Sequence, residues 1–67
     1  MEEMISLEEK MLQAAMESGK SVKVVTRNGY QMDGVILDFD LNVLLMRIRG
    51  QEQMVYIANV STIVFLK

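Results

Sequence analysis

Asn28-Gly29 constrains this chain more than any other pair of residues. It lies between two runs that alternate in strand fashion, and Asn-Gly between such runs is the strongest short hairpin signal. The run before it, Ser21 to Arg27, is rich in β-branched residues. Val22, Val24 and Thr26 share one side, and Lys23, Val25 and Arg27 share the other. The run after it extends from about Tyr30 to Phe39 and contains Gly34, where the missing side chain permits a sharp bend. Asp40 to Asn42 form a break. A third strand follows over Val43 to Arg49, Gly50-Gln51 turns the chain, Glu52 to Ala58 form a fourth strand, and Val60 to Leu66 a fifth.

Upstream of these strands the period is helical. Ser6-Leu7-Glu8-Glu9 fits a capping box, with Ser6 as the cap and Glu9 reaching back. Leu7, Met11, Ala14 and Ala15 recur at three- and four-residue spacing, with Leu12 and Met16 beside them, and Gly19 supplies the left-handed stop. The spacing predicts a helix over about 7–18 and a five-stranded barrel over about 21–66, within a single domain over 1–67. The fold class is mainly β with one N-terminal helix: a strongly bent, antiparallel five-stranded barrel.

A chain of 67 residues buries only a modest core when it folds alone, yet 51% of this one is apolar. Without cysteine it has no disulfide or thiolate metal site, and without histidine it lacks the commonest general base and metal ligand. Asp38 and Asp40 are a close carboxylate pair, but no nucleophile accompanies them, so neither an enzyme nor a cofactor is expected. Self-association is the remaining way to bury the apolar surplus. No apolar run reaches the roughly twenty residues that span a bilayer, and Glu2 and Glu3 are the wrong charge for a secretory leader. A cytoplasmic protein without membrane contact is expected.

The net charge of −2 is divided unevenly. Residues 1–19 carry −4, with Lys10 the one cation among five glutamates, and residues 20–67 carry +2. The body tolerates a polyanion, but no stretch is a basic patch of the kind that advertises nucleic acid. Near the C-terminus, VYIANVST (Val55–Thr62) has no charge at all, and the strand after it has few gatekeepers except Lys67. A ring in which the last strand pairs with a neighbour's edge satisfies both that edge and the apolar surplus.

In this order, a helix, then VKVVTRNGYQMDGVILDFD, then QMVYIANVST, the chain resembles the bacterial Sm-like family Hfq. The resemblance covers roughly 7–65. It rests on Asn28-Gly29, Gly34, Phe39-Asp40, Gln53-Met54-Val55-Tyr56 and Ser61-Thr62, which are fairly specific in combination. It implies a homohexameric ring whose interface uses Tyr56, Val60, Ser61, Thr62, Ile63 and Val64. It also implies an RNA chaperone in post-transcriptional regulation, binding small regulatory RNAs and messengers as single strands without catalysis.

In the family, the helix-bearing proximal face binds uridine-rich RNA around the pore through a Lys-His pair after the tyrosine and an aromatic after Phe-Asp. Here those places hold Ile57 and Ala58, with Leu41 and Asn42 after the Phe-Asp. Asn42 cannot supply the stacking worth roughly 1–3 kcal/mol per base. Glu8-Glu9 stand where the family has Gln-Asp, and the late helix, Ala15 to Gly19, lacks the arginines of the family's rim. Reduced uridine binding and reduced annealing are expected. The opposite, distal face takes A- or purine-rich RNA, and it is better kept. Asn28, Gly29, Tyr30, Gln31 and Met32 resemble the Gram-positive version, and Gln53 and Thr62 match polar positions that read adenine. Val25 stands where an aromatic often stacks, and Asp33 where a neutral or basic residue is usual. Lys23 and Arg27 add a modest positive strip, repeated by ring symmetry.

Each of these residues also has a plainer reading. Tyr30 and Met32 serve equally as strand residues covering a neighbour and Tyr56 as a packing residue, while Arg47 and Arg49, which flank the third turn, read first as a solvated face and second as a rim contact to RNA. The seven methionines suit adaptable packing. Two functions follow: a purine-binding Hfq-like ring, or a ring with little RNA binding that acts as a structural or protein-interaction module or co-assembles with a second Hfq.

Overall fold

The computed structural model describes residues 7–66. Ser6 of the expected capping box, the side chain of Glu8, and Lys67 lie outside the described residues. The order is α1 (Leu7–Ser18), β1 (Val22–Thr26), β2 (Gln31–Phe39), β3 (Val43–Ile48), β4 (Gln51–Tyr56), a 3-10 turn (Ile57–Asn59) and β5 (Val60–Phe65). The five strands form one antiparallel sheet in the order β4-β3-β2-β1-β5, which leaves β4 and β5 as its edges.

The bend centres on Gly34. On its N-terminal side β2 pairs with β1 (Val22 opposite Gly34, Val25 opposite Gln31). From Val35 onward β2 pairs with β3. A Cβ at Gly34 would strike the Arg47 carbonyl oxygen and come within 2.9 Å of Ile48 Cγ1, so the close crossing of the two strands requires glycine. A register shift between Ile36 and Asp38 curls the second half further.

Curling encloses a core of Ile36, Leu44, Met46, Val22, Val24 and Val55, with Leu12 and Ala15 of the helix packed over it. Alternation in β1 is as the sequence predicts, with Val22 and Val24 fully buried. The helix matches its expected bounds and ends on Gly19 at φ +68°, whose N–H donates to Ala15 O at 3.2 Å. Its buried side differs. The apolar stripe is wider than the contact, so Leu12, Ala15 and Met16 meet the core while Leu7, Met11 and Ala14 stay exposed.

Two turns refine the expected strand ends. The first hairpin has a three-residue loop, Arg27–Gly29, closed by Gly29 N–H to Thr26 O (2.9 Å) and Thr26 N–H to Tyr30 O (2.8 Å). Gly29 alone takes positive φ there, +88°. The second is a two-residue turn at Arg49-Gly50, between paired Ile48 and Gln51, one residue earlier than Gly50-Gln51. Both residues have positive φ, +54° and +81°. That backbone follows the right-handed twist of the flanking strands, at a cost of roughly 1 kcal/mol for the arginine. The fourth strand stops at Tyr56 rather than Ala58, because the chain winds into the 3-10 turn in order to reach β5.

Candidate nucleic-acid interface

The outer face of β2-β1-β5 is set by register. Val25 lies opposite Gln31 on one side and Thr62 on the other, so Gln31, Val25 and Thr62 form a row across three strands. Lys23, Asp33 and Val64 form the next row on the same face. The bend swings the β3–β4 hairpin towards this face. An open depression of about 470 Å³ results, lined by Lys23, Tyr30, Gln31, Met32, Asp33, Ile48, Arg49, Gln51 and Gln53. Four of the expected distal residues, Tyr30, Gln31, Met32 and Gln53, are therefore brought together. Met32 lies opposite Val24 and packs against the core, so it offers the depression only part of its side chain.

Tyr30 is 64% exposed at the exit of the first hairpin. Its backbone N–H donates to the Thr26 hydroxyl at 3.2 Å, and Asn28 Oδ1 lies 3.3 Å from the same nitrogen. The Thr26 hydroxyl in turn donates to Asn28 Oδ1. Asn28 and Gly29 thus set the loop that aims Tyr30, and a second, smaller hollow joins Thr26, Arg27, Asn28 and Tyr30 to Asn59.

Of the expected positive strip, Lys23 is neutralised and Arg27 is redirected. Lys23 Nζ lies 3.3 Å from Asp33 Oδ1 and donates to Gln31 Oε1 at 3.3 Å. Arg27 is turned to the 3-10 turn, where Nε donates to Ala58 O at 2.8 Å and its backbone N–H to Asn59 O at 2.8 Å. Those contacts depend on cross-strand register, which residue types alone do not reveal. Arg49 is exposed, as expected of a solvated face, and it also lines the depression. The signal for it was the Arg-Gly pair itself, once read as the two central residues of the turn.

The second cluster is the pair of loops at Asp40–Asn42 and Ile57–Asn59. Asp40 Oδ1 accepts from the N–H groups of Asn42 (2.7 Å) and Val43 (2.9 Å), and these bonds hold its carboxyl below the ordinary aspartate range. Ile57 N–H donates to Asn42 O at 2.9 Å, so the expected proximal residues Leu41, Asn42, Ile57 and Ala58 do converge. Leu41 is 85% exposed, Ile57 leans on the core, and none of the four offers a cation or an aromatic ring.

Of the expected interface positions, Tyr56, Ser61, Thr62 and Val64 are exposed along the two edges, while Val60 and Ile63 pack inward against the core. Among the described residues no acidic or histidine cluster could hold a metal, and no helix is long and apolar enough to cross a membrane.

The family model described as Hfq protein matches residues 7–67. The chain belongs to the Hfq family. Among curated relatives, the RNA-binding protein Hfq of Natranaerobius thermophilus is 37% identical over 60 residues, covering 90% of this chain and 71% of that one. The RNA-binding protein Hfq of Geobacillus sp. strain WCH70 is 32% identical over 62 residues, covering 92% and 84%. A crystal structure of the pleiotropic translational regulator Hfq superposes with a TM-score of 0.85 at 29% identity, covering 88% of this chain and 98% of that one. A heptameric archaeal Sm protein superposes at 0.68 and 26% identity, covering 87% and 98%. Helix and bent five-stranded sheet are thus the Hfq arrangement, and ring assembly is consistent with the Sm neighbour.

Proposed function

We propose that this chain is an RNA-binding ring protein of the cytoplasm that holds A- or purine-rich single-stranded RNA on the face bearing Tyr30, and that it works as a chaperone for small RNAs and messengers without catalysing a reaction. The observation that carries this reading is the convergence of Tyr30, Gln31 and Gln53 around one open depression. Tyr30 presents a ring on which a base can stack, worth roughly 1–3 kcal/mol. Gln31 and Gln53 carry amide groups that both donate and accept, which suits the edge of a purine. Asn28 and Gly29 shape the loop, and Val25 and Thr62 extend the same face towards β5.

The relatives' printed name, RNA-binding protein, supports the nucleic-acid reading. The two unpaired edges support the ring, which we take to be a homohexamer with β5 of each subunit on β4 of the next, repeating the depression six times around one face. The loop cluster of Leu41, Asn42, Ile57 and Ala58 is read as a uridine pocket that has lost its contacts.

The Lys23–Asp33 pair favours a second reading, a ring with little RNA affinity that serves as an interaction module or co-assembles with another Hfq, because it removes a cation from the face. Titrating the purified protein with labelled oligo(A), a mixed purine repeat and oligo(U) at near-physiological salt separates the two. The first reading expects tight binding to oligo(A) or the purine repeat, weakened roughly tenfold by Tyr30→Ala. Absence of binding to all three supports the second reading, and tight oligo(U) binding contradicts the account of the loop cluster.

A further inference from the structure

We propose that Arg49 is the phosphate anchor of this face, gripping the phosphodiester of the purine-rich strand whose bases meet Tyr30, Gln31 and Gln53. The inference rests on the reading just given and adds the residue that supplies its electrostatic attraction.

Two independent observations lead to it. The first is a census of charge. Three charged side chains line the depression: Lys23, Asp33 and Arg49. Lys23 and Asp33 are paired at 3.3 Å, which nearly cancels their field at a strand lying above them. Nearby Arg47 is paired with Glu52 at 3.4 Å, and Arg27 is committed to a carbonyl of the 3-10 turn. Arg49 is exposed and, among the described residues, in no ion pair. Arg27 keeps its charge, since a neutral carbonyl does not cancel it, but it lines the neighbouring hollow, so within the depression itself a polyanion meets one uncompensated cation, Arg49. Its planar guanidinium suits two phosphate oxygens at once.

The second observation is the backbone. Arg49 is the one non-glycine residue with positive φ among the described residues, at +54°. A two-residue turn of this kind prefers Asn or Gly at its first position, so arginine is a costly choice for the turn alone. Strained residues of this sort gather at ligand sites because the surrounding fold over-determines them. Here the paired strands on both sides, Ile48 opposite Gln51 and Arg47 opposite Glu52, supply that determination. The same geometry fixes the root of the anchor: at a tight turn the Cα–Cβ bond of a left-handed residue has one direction, so less backbone freedom is lost on binding.

The prediction concerns salt as much as affinity. A phosphate contact contributes to the slope of log affinity against log salt, about 0.7 per phosphate neutralised on a single strand, whereas stacking does not. The test is fluorescence anisotropy of a labelled purine-repeat RNA over a salt series, with wild type, Arg49→Asn, Arg49→Lys and Tyr30→Ala. Asparagine suits the turn and lacks the charge, so Arg49→Asn is expected to keep or raise the melting temperature. It is also expected to bind the RNA roughly tenfold more weakly, with a shallower salt slope. Arg49→Lys restores the slope, and Tyr30→Ala loses affinity with the slope unchanged. An unchanged slope in Arg49→Asn beside weakened Tyr30→Ala overturns the anchor and leaves the purine-binding reading standing. Equal loss of affinity and slope in the asparagine and lysine variants also overturns it, since the residue then acts by its shape. Failure of the wild type to bind purine RNA overturns the parent reading and the anchor with it.

Discussion

At Gly34 a single hydrogen takes the place of a side chain because the Arg47 carbonyl occupies the space a Cβ would need. That obstacle is backbone, so it cannot rotate aside. Gly34→Ala is expected to destabilise the fold by about 2–3 kcal/mol, read as a fall in melting temperature of roughly 10 °C or more; an unchanged melting temperature would show that the bend is not centred there. Asp40 acts through charge. Its carboxylate accepts two backbone N–H groups, which lowers its pKa in the folded state. A lowered folded pKa means that the contribution is present above the unfolded value of about 3.9 and is lost as pH falls through the folded one. Melting temperatures taken from pH 6 downward should therefore decline below about pH 4, and Asp40→Asn should flatten that part of the decline. An identical acid profile in the variant would assign the decline to other carboxylates. Gly34 was legible as a bend because that depends on its own residue type, whereas Asp40, read as one of a carboxylate pair, shows its anchoring role through its bonds to Asn42 and Val43. The contacts of Lys23 and Arg27 were not legible, since their partners Asp33 and Ala58 are brought close only by pairing register and by the 3-10 turn.

The elements followed from periodicity where it was strong. The helix over 7–18 and the β1 alternation of Val22 and Val24 needed only spacing and a glycine stop. The β3–β4 turn did not, because Gly50 marks a turn without saying whether it is the first or second central residue. Pairing of Ile48 with Gln51 decides that, and it moves Arg49 from a strand end to the rim of the depression. The helix face was also underdetermined: Leu7, Met11 and Ala14 have the right spacing, yet only one side of a twelve-residue helix can meet so small a core. Edge strands carry the next prediction. Val64 is 46% exposed on β5, and Tyr56 is 58% exposed on β4. Val64→Glu should leave the circular dichroism spectrum folded and shift the mass measured by light scattering to smaller species, since a charge there opposes strand addition. A mass unchanged from wild type would place the subunit contact elsewhere.

For the whole molecule, the two clusters are unequal in chemistry. One has an exposed tyrosine, amides and an unpaired arginine around a depression. The other cluster, at Leu41, Asn42, Ile57 and Ala58, has a sound backbone frame but no cation or ring. If side-chain loss alone silences that cluster, the double change Ile57→Lys with Ala58→His should raise oligo(U) affinity several-fold without altering purine binding. No gain would mean that the frame also differs from its relatives. On the proposed function, RNA lies on the Tyr30 face and not at the loop cluster. Residue-level mass spectrometry of ultraviolet cross-links to a purine-repeat RNA tests it most directly. Cross-links are expected at Tyr30 and its neighbours in the depression, and cross-links confined to Leu41, Asn42, Ile57 and Ala58 would place the RNA at the loop cluster instead.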